Sequence, residues 1–144
     1  MSTYSVSLET SEPKRGTVAS PADGLPGIAV APPPEFGGPE GVWSPEHFFV
    51  AALSSCLMTT FFAIAGNSGL EVVSYSDQAT GELTQDETKR YRIESVTLRP
   101  RIVVSDESKV DKARRIIEKS EGACLISRSV NSEVFLEATI EVAG

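Results

Sequence analysis

Cys56 and Cys124 stand 68 positions apart in a chain of 144 residues, and they are its only cysteines. A thiolate is the strongest nucleophile a side chain offers, and two thiols can close and reopen a disulfide. With one histidine, His47, and no CxxC pair, the residues do not form a structural zinc pattern. The two thiols therefore read either as small buried side chains or as a redox couple. Cys56 sits in a long apolar run and needs a positive charge or a helix end nearby to ionise. No basic residue lies within that run, so an activating cation must come from elsewhere in the fold. Each other candidate, taken alone, has an ordinary explanation. Glu46 suits the first turn of a helix. Arg15 reads as a solvated charge, His47 as a hydrogen-bonded packing residue, and Asp23 as a turn former.

The elements that must position these residues follow from pattern and punctuation. Tyr4, Val6 and Leu8 alternate with polar residues, which predicts a half-buried first strand. A second strand is predicted over Gly16 to Ser20, with Ala22-Asp23-Gly24 as the turn, and a third over Gly27 to Ala31. The proline- and glycine-rich stretch Pro32 to Gly41 is a surface loop. In Ser44-Pro45-Glu46 a serine cap, a first-turn proline and an acidic residue open a helix. Trp43 before the cap is placed to form a hydrophobic staple. The run from His47 to Gly66 is apolar on nearly all sides and reads as a buried helix ended by Asn67-Ser68-Gly69. Its Ser54, Ser55, Thr59 and Thr60 argue against a membrane span.

Leu70 to Leu83 and Arg90 to Val104 read as one long antiparallel hairpin, with Pro100 marking a bulge or an edge. Ser105-Asp106-Glu107 opens a second, amphipathic helix to about Lys119, with the stripe Val110, Ala113, Arg114, Ile117 widened by Ile116, and with Gly122 as its stop. Cys124 follows, partly accessible. The last strand alternates from Val134 to Val142.

Length and composition fit a single globular domain over residues 1–144. A net charge of −7 with scattered basic residues argues against nucleic acid and against anionic membrane surfaces as partners. The amino terminus has neither the basic start nor the apolar run of a signal peptide, which points to the cytosol.

Taken together, the residues are more specific than any one of them. The stretch Ser44-Pro45-Glu46-His47-Phe48-Phe49-Val50-Ala51-Ala52-Leu53-Ser54-Ser55-Cys56 resembles the signature of the OsmC/Ohr family, the osmotically inducible and organic-hydroperoxide-resistance proteins. Its elements are a Pro-Glu pair, an apolar run with small residues, and a cysteine ten positions after the glutamate. The loop Glu35-Phe36-Gly37-Gly38 and the second cysteine after an amphipathic helix, with Ser127 three residues on, extend the likeness over nearly the whole chain. Two departures stand out. Leu125 follows the second cysteine where the family often has proline, and the family's arginine is matched by Arg15 or, one residue away, by Lys14.

The resemblance implies an α+β, OsmC-like fold: antiparallel sheets around a long buried central helix, in an intertwined homodimer. It also implies a thiol peroxidase that needs no cofactor or metal. Cys56 would attack an organic hydroperoxide and become a sulfenic acid, Cys124 would condense with it, and a dithiol reductant (a lipoylated protein, a thioredoxin or a small thiol) would reset the pair. Arg15 would lower the thiol pKa and steady the leaving oxygen, Glu46 would hold Arg15, and Phe48 and Phe49 would line an apolar substrate pocket, with Phe61 or Phe62 as further candidates. On one straight helix, ten residues put Glu46 about 15 Å from Cys56 along the axis and about 80° around it. Either the helix is broken, or Glu46 and Arg15 serve the Cys56 of a second subunit; the second is the expectation. The alternatives are a binding protein of the same fold with silent thiols, and an interaction module with an acidic surface.

Overall fold

Pro13 and Lys14 turn the chain back on itself in the first hairpin of the computed structural model, which describes every residue from Met1 to Gly144. Strand β1 (Ser7–Glu12) pairs antiparallel with β2 (Arg15–Ser20), and Glu12 lies opposite Arg15 with only the two turn residues between. Lys14 takes φ 69°, the left-handed value that a type II turn needs after its proline. Strand β3 (Leu25–Val30) completes an antiparallel sheet of order β1-β2-β3. Between β2 and β3, Pro21–Asp23 forms a 3-10 turn closed by Gly24 at φ 72°. The Asp23 carboxylate accepts from the Ser20 hydroxyl there, as a turn former should.

This sheet belongs to a first compact unit, Met1–Phe49. The alternation at its start does not mark a half-buried strand. Tyr4 and Val6 precede β1, Leu8 is 62% exposed, and every residue of β1 is exposed. The period is present, but no layer of this unit covers that face of the sheet. The loop after β3 returns tightly: the Ala31 amide donates to the Trp43 carbonyl at 3.0 Å. Within it, a Cβ on Gly38 would stand 1.5 Å from the Pro32 carbonyl oxygen, so only glycine fits.

Helix α1 (Pro45–Asn67) opens at the end of this unit. The Ser44 hydroxyl accepts the His47 amide at 3.2 Å, the bond of an N-cap. Trp43 stacks on Phe48 at 5.7 Å and 12°, which is the staple predicted from the sequence. The helix ends in a Schellman arrangement, with Leu70 donating to Ala65, Gly69 donating to Gly66, and Gly69 at φ 70°.

The second unit, Val50–Gly144, holds the dry core. Leu53, Leu57, Phe61 and Ala65 form the buried i, i+4 stripe of α1, while Met58 and Phe62 on other faces stay substantially exposed. By length and composition α1 is apolar enough to cross a membrane, with a mean hydropathy of 2.0, although the core helix of a soluble protein passes the same test. Its polar residues therefore do not weigh as much as the sequence suggested. The Ser55 and Thr59 hydroxyls bond back to the Ala51 and Cys56 carbonyls, which hides their polarity.

The long hairpin is in fact four strands in two sheets. Strands β4 (Ser74–Asp77), β5 (Thr80–Gln85), β6 (Tyr91–Leu98) and β7 (Pro100–Val104) pair as β5 with β6 and β4 with β7. The final strand divides likewise into β8 (Glu133–Leu136) and β9 (Thr139–Val142), giving sheets β4-β7-β9 and β5-β6-β8. Pro100 is thus neither a bulge nor an edge but the first residue of a new strand. It has no N–H, and it restricts Arg99 before it. At this step Arg99 donates its amide to Asp77 at 2.7 Å and pairs with Glu137 at 3.3 Å, pinning the three crossings together.

The pairs β6 with β8 and β7 with β9 are parallel, a feature the antiparallel expectation did not include. Helix α2 (Val110–Ala123) lies in the connection that leads to them, as a parallel crossover requires. Asp106 caps a 3-10 turn, Glu107–Lys109, that precedes it. The buried face of α2 is Ala113, Ile116, Ile117 and Ser120, with Arg114 turned to solvent. Gly122 lies inside the helix and does not stop it. The chain leaves the helix one residue after Ala123, where Cys124 is extended.

Candidate functional site

In the second unit the two sulfurs meet. Cys56 is half-buried in the middle of α1, Cys124 is fully buried just after α2, and both are free thiols. The partial accessibility expected of Cys124 is not observed, because its side chain turns inward where the helix ends. Cys56 and Cys124 lie close enough for each thiol to shift the other's pKa, and the Cys56 Sγ lies 3.9 Å from the Thr60 Oγ1 one helical turn on. Thr60 is a part of the site that sequence reasoning missed, and its signal was the i+4 spacing on one helical face.

The surroundings set the two thiols apart. Burial pushes the Cys56 thiol up, but hydrogen bonds from the Cys124 thiol, the Ile126 amide, the Thr60 hydroxyl and the Leu125 amide outweigh it, and the net direction is down. Burial and its bond to Cys56 push the Cys124 thiol up. Cys56 is thus the sulfur that ionises first and Cys124 the one that keeps its proton. No cation contributes to the lowering of Cys56; amides, a hydroxyl and a thiol carry it.

The charged residues expected at the site lie in the first unit. Arg15, Lys14 and Glu46 line one cavity of about 450 Å³, whose apolar wall includes Leu8, Val30 and Phe36. Both candidate cations are therefore present. Arg15 does not hold Glu46, however. Its Nε is 3.0 Å from the Glu12 carboxylate across the hairpin turn. The Glu46 Oε2 is buried with no hydrogen-bond partner. Both members of the Arg15–Glu12 pair are largely exposed, so solvent screens that bond and it holds Arg15 only loosely.

Phe48 and Phe49 do not line this cavity. Phe48 is occupied with Trp43. Phe61 is buried, and with Phe62 it packs against Tyr75 at 5.4 and 5.7 Å. Its place is in the core. His47 bonds through Nδ1 to the Ser44 hydroxyl at 2.6 Å, a packing role at the helix start.

The family model for OsmC-like proteins matches residues 38–139, most of the chain and all of the segment from the Gly38 turn through both cysteines. The chain belongs to the OsmC/Ohr family. An OsmC-like protein of unknown function from Vibrio cholerae is 30% identical, with a TM-score of 0.85 over 96% of this chain and 99% of that one. A Legionella pneumophila structure described as the organic hydroperoxide resistance protein OsmC shares the fold, with a TM-score of 0.75 at 20% identity over 98% and 99% of the two chains. The uncharacterized protein YmaD of Bacillus subtilis is 26% identical over 121 residues, 81% of this chain and 80% of its own length. The α+β architecture, with open sheets and helices, is that of the OsmC/Ohr proteins.

Proposed function

We propose that this OsmC/Ohr protein is a thiol peroxidase that reduces organic hydroperoxides to alcohols. The observation that carries the reading is the neighbouring pair of free thiols, with Cys56 lowered and Cys124 raised. The Cys56 thiolate attacks the distal peroxide oxygen, the O–O bond breaks, and the alkoxide leaves and takes a proton to become the alcohol. Cys56 is now a sulfenic acid. Cys124, which has kept its proton, attacks that sulfur; the S–S bond forms, and hydroxide leaves with the Cys124 proton as water. A dithiol reductant then exchanges with the disulfide, restoring both thiols and becoming a disulfide itself.

Arg15 is assigned the stabilisation of the leaving oxygen, and Glu46 the task of orienting Arg15. Two observations support this. Both residues line one cavity, and Glu46 has a buried oxygen that lacks a donor. Helix α1 runs unbroken from Pro45 to Asn67, so the ten-residue rise argues that Glu46 and Arg15 serve the Cys56 of a second subunit. A homodimer would also cover the apolar residues left exposed on β1 and α1. A fully active monomer in sedimentation would remove this part of the reading.

The test is consumption of cumene hydroperoxide with a dithiol reductant, against hydrogen peroxide, in wild type and Cys56→Ser. Turnover in the variant should fall by at least about 10³-fold. Because the Cys56 thiol is lowered, the reaction should saturate below its ordinary value of 9.0 and fall as pH drops through the lowered one. Undiminished turnover in Cys56→Ser would sink the proposal. The second reading is a binding protein with silent thiols. It is favoured by the pairing of Arg15 with Glu12 instead of Glu46, and it predicts no disulfide after one equivalent of peroxide.

A further inference from the structure

Ser54, Ser55, Thr59 and Thr60 place four hydroxyls on α1 close to Cys56, and three of them are committed elsewhere. Ser54 donates to the Asp77 carboxylate at 2.6 Å. Ser55 donates back to the Ala51 carbonyl at 2.7 Å, and Thr59 donates to the Cys56 carbonyl at 3.0 Å. Thr60 does neither. Its Oγ1 lies 3.9 Å from the Cys56 Sγ, on the same helical face one turn away, and the hydroxyl has no other hydrogen-bond partner.

Thr59 explains why. A helical threonine can turn its hydroxyl back to the carbonyl three or four residues earlier. For Thr60 the carbonyl four back is that of Cys56. A carbonyl oxygen has two lone pairs. In the unbroken α1 one of them takes the Thr60 amide, and the other takes the Thr59 hydroxyl. The Thr60 hydroxyl does not take the Leu57 carbonyl three back either. It is left to the sulfur.

We propose that Thr60 is a further catalytic residue, whose hydroxyl donates to the Cys56 sulfur once that sulfur is charged and holds the thiolate ready for attack. The assignment rests on the reading of Cys56 as the attacking thiol. In the neutral pair either atom can donate, and a thiol is a weak donor, so the contact is long. Ionisation takes the proton from sulfur and leaves only the hydroxyl to donate. A bond to an ionised acceptor is shorter and roughly twice as strong as a neutral one, so it favours the thiolate over the thiol. Burial raises the Cys56 thiol, the Thr60 hydroxyl is among the groups that lower it, and the net direction is down.

Two substitutions separate the hydroxyl from the packing. Thr60→Val keeps the branched shape and removes the oxygen, while Thr60→Ser keeps the oxygen and removes the methyl group. The experiment measures iodoacetamide alkylation of the reduced protein against pH, followed on the Cys56 peptide by mass spectrometry. Thr60→Val should titrate about one pH unit above wild type, the equivalent of one hydrogen bond to a charged group, and react several-fold more slowly at pH 7. Thr60→Ser should recover most of that difference. A Thr60→Val titration that coincides with wild type overturns the assignment. So does a Thr60→Ser titration that moves as far as Thr60→Val, because packing would then be the cause.

Should circular dichroism show that Thr60→Val is misfolded, NMR of the wild type decides. The Thr60 Cβ resonance should shift through the Cys56 titration and stay fixed in Cys56→Ser. A Thr60 Cβ that does not respond in wild type also overturns the proposal. No peroxide enters either measurement. A protein that shows the hydroxyl effect but consumes no peroxide refutes the peroxidase and leaves the bond from Thr60 to the thiolate in place.

Discussion

Charge and sulfur are handled in opposite ways by the two units. In Met1–Phe49 the ionised groups stand at an open cavity, with Arg15 on an exposed partner and Glu46 short of a donor for one oxygen. In Val50–Gly144 Cys124 is fully buried and Cys56 half-buried, and every group that tunes Cys56 is a fixed dipole or a neighbouring thiol. The first arrangement leaves one carboxylate oxygen without a partner; the second leaves neither thiol without one. Under the proposed function this contrast becomes a division of labour: Cys56 is assigned the nucleophile, and Arg15 the group that receives negative charge when the peroxide bond breaks.

Arg15→Ala breaks or sharpens that comparison most strongly. If the division holds, kcat/KM for an organic hydroperoxide falls by about 10²- to 10³-fold, the usual loss on removing one donor to a developing oxyanion. The Cys56 titration, read by alkylation, stays where it was, because no cation contributes to it. An upward shift of the Cys56 titration in Arg15→Ala would show that the guanidinium also charges the sulfur, and the division would fail. Arg15→Lys keeps the charge but loses the planar fork, so it should recover only part of the loss.

A pair of leucines tests the same contrast in stability. Leu57 is fully buried on α1, and Leu57→Ala should destabilise the protein by about 2–5 kcal/mol in chemical denaturation. Leu8 is exposed in the first unit, and Leu8→Ala in an isolated chain should change stability by less than about 0.5 kcal/mol. A concentration-dependent loss for Leu8→Ala, with dissociation seen in sedimentation, would place β1 under a second copy. A large loss that does not depend on concentration would contradict the exposure of β1.

What the sequence disclosed follows the same line between local and distant causes. Ser44-Pro45-Glu46, the Trp43–Phe48 staple and the Asn67-Ser68-Gly69 stop are chemistry among near neighbours, and all three are as predicted. The breaks at Gln78, Arg99 and Glu137 were invisible because each depends on the other two, through Asp77 and the strands that cross there. β propensity continues through those positions, while the step between sheets is a tertiary event. At the site, the two cysteines were legible as a pair by residue type and by resemblance. Their neighbours at Leu125 and Ile126 were not, since an amide donor leaves no trace in side-chain identity. The expected bond between Arg15 and Glu46 was displaced by Glu12, which the hairpin register sets opposite Arg15.

The smallest effect concerns Tyr75, on β4 in the second unit. Its ring packs on Phe61 and Phe62, and its hydroxyl is buried without a partner. Burial, with the Asp77 carboxylate second, pushes the phenol well above its ordinary range, so the group is neutral at any working pH. An unmet hydroxyl in a dry layer costs stability, whereas phenylalanine keeps the ring contacts and removes the debt. Tyr75→Phe should therefore raise stability by about 1 kcal/mol, which for a chain of this size is a rise of about 2–4 °C in Tm. Asp77 would remain bonded to Ser54 at 2.6 Å and to the Arg99 amide, so the step between sheets stays pinned. A fall in Tm would mean that the hydroxyl has a donor or acceptor in solution, and that this layer of the second unit is less dry than its packing implies.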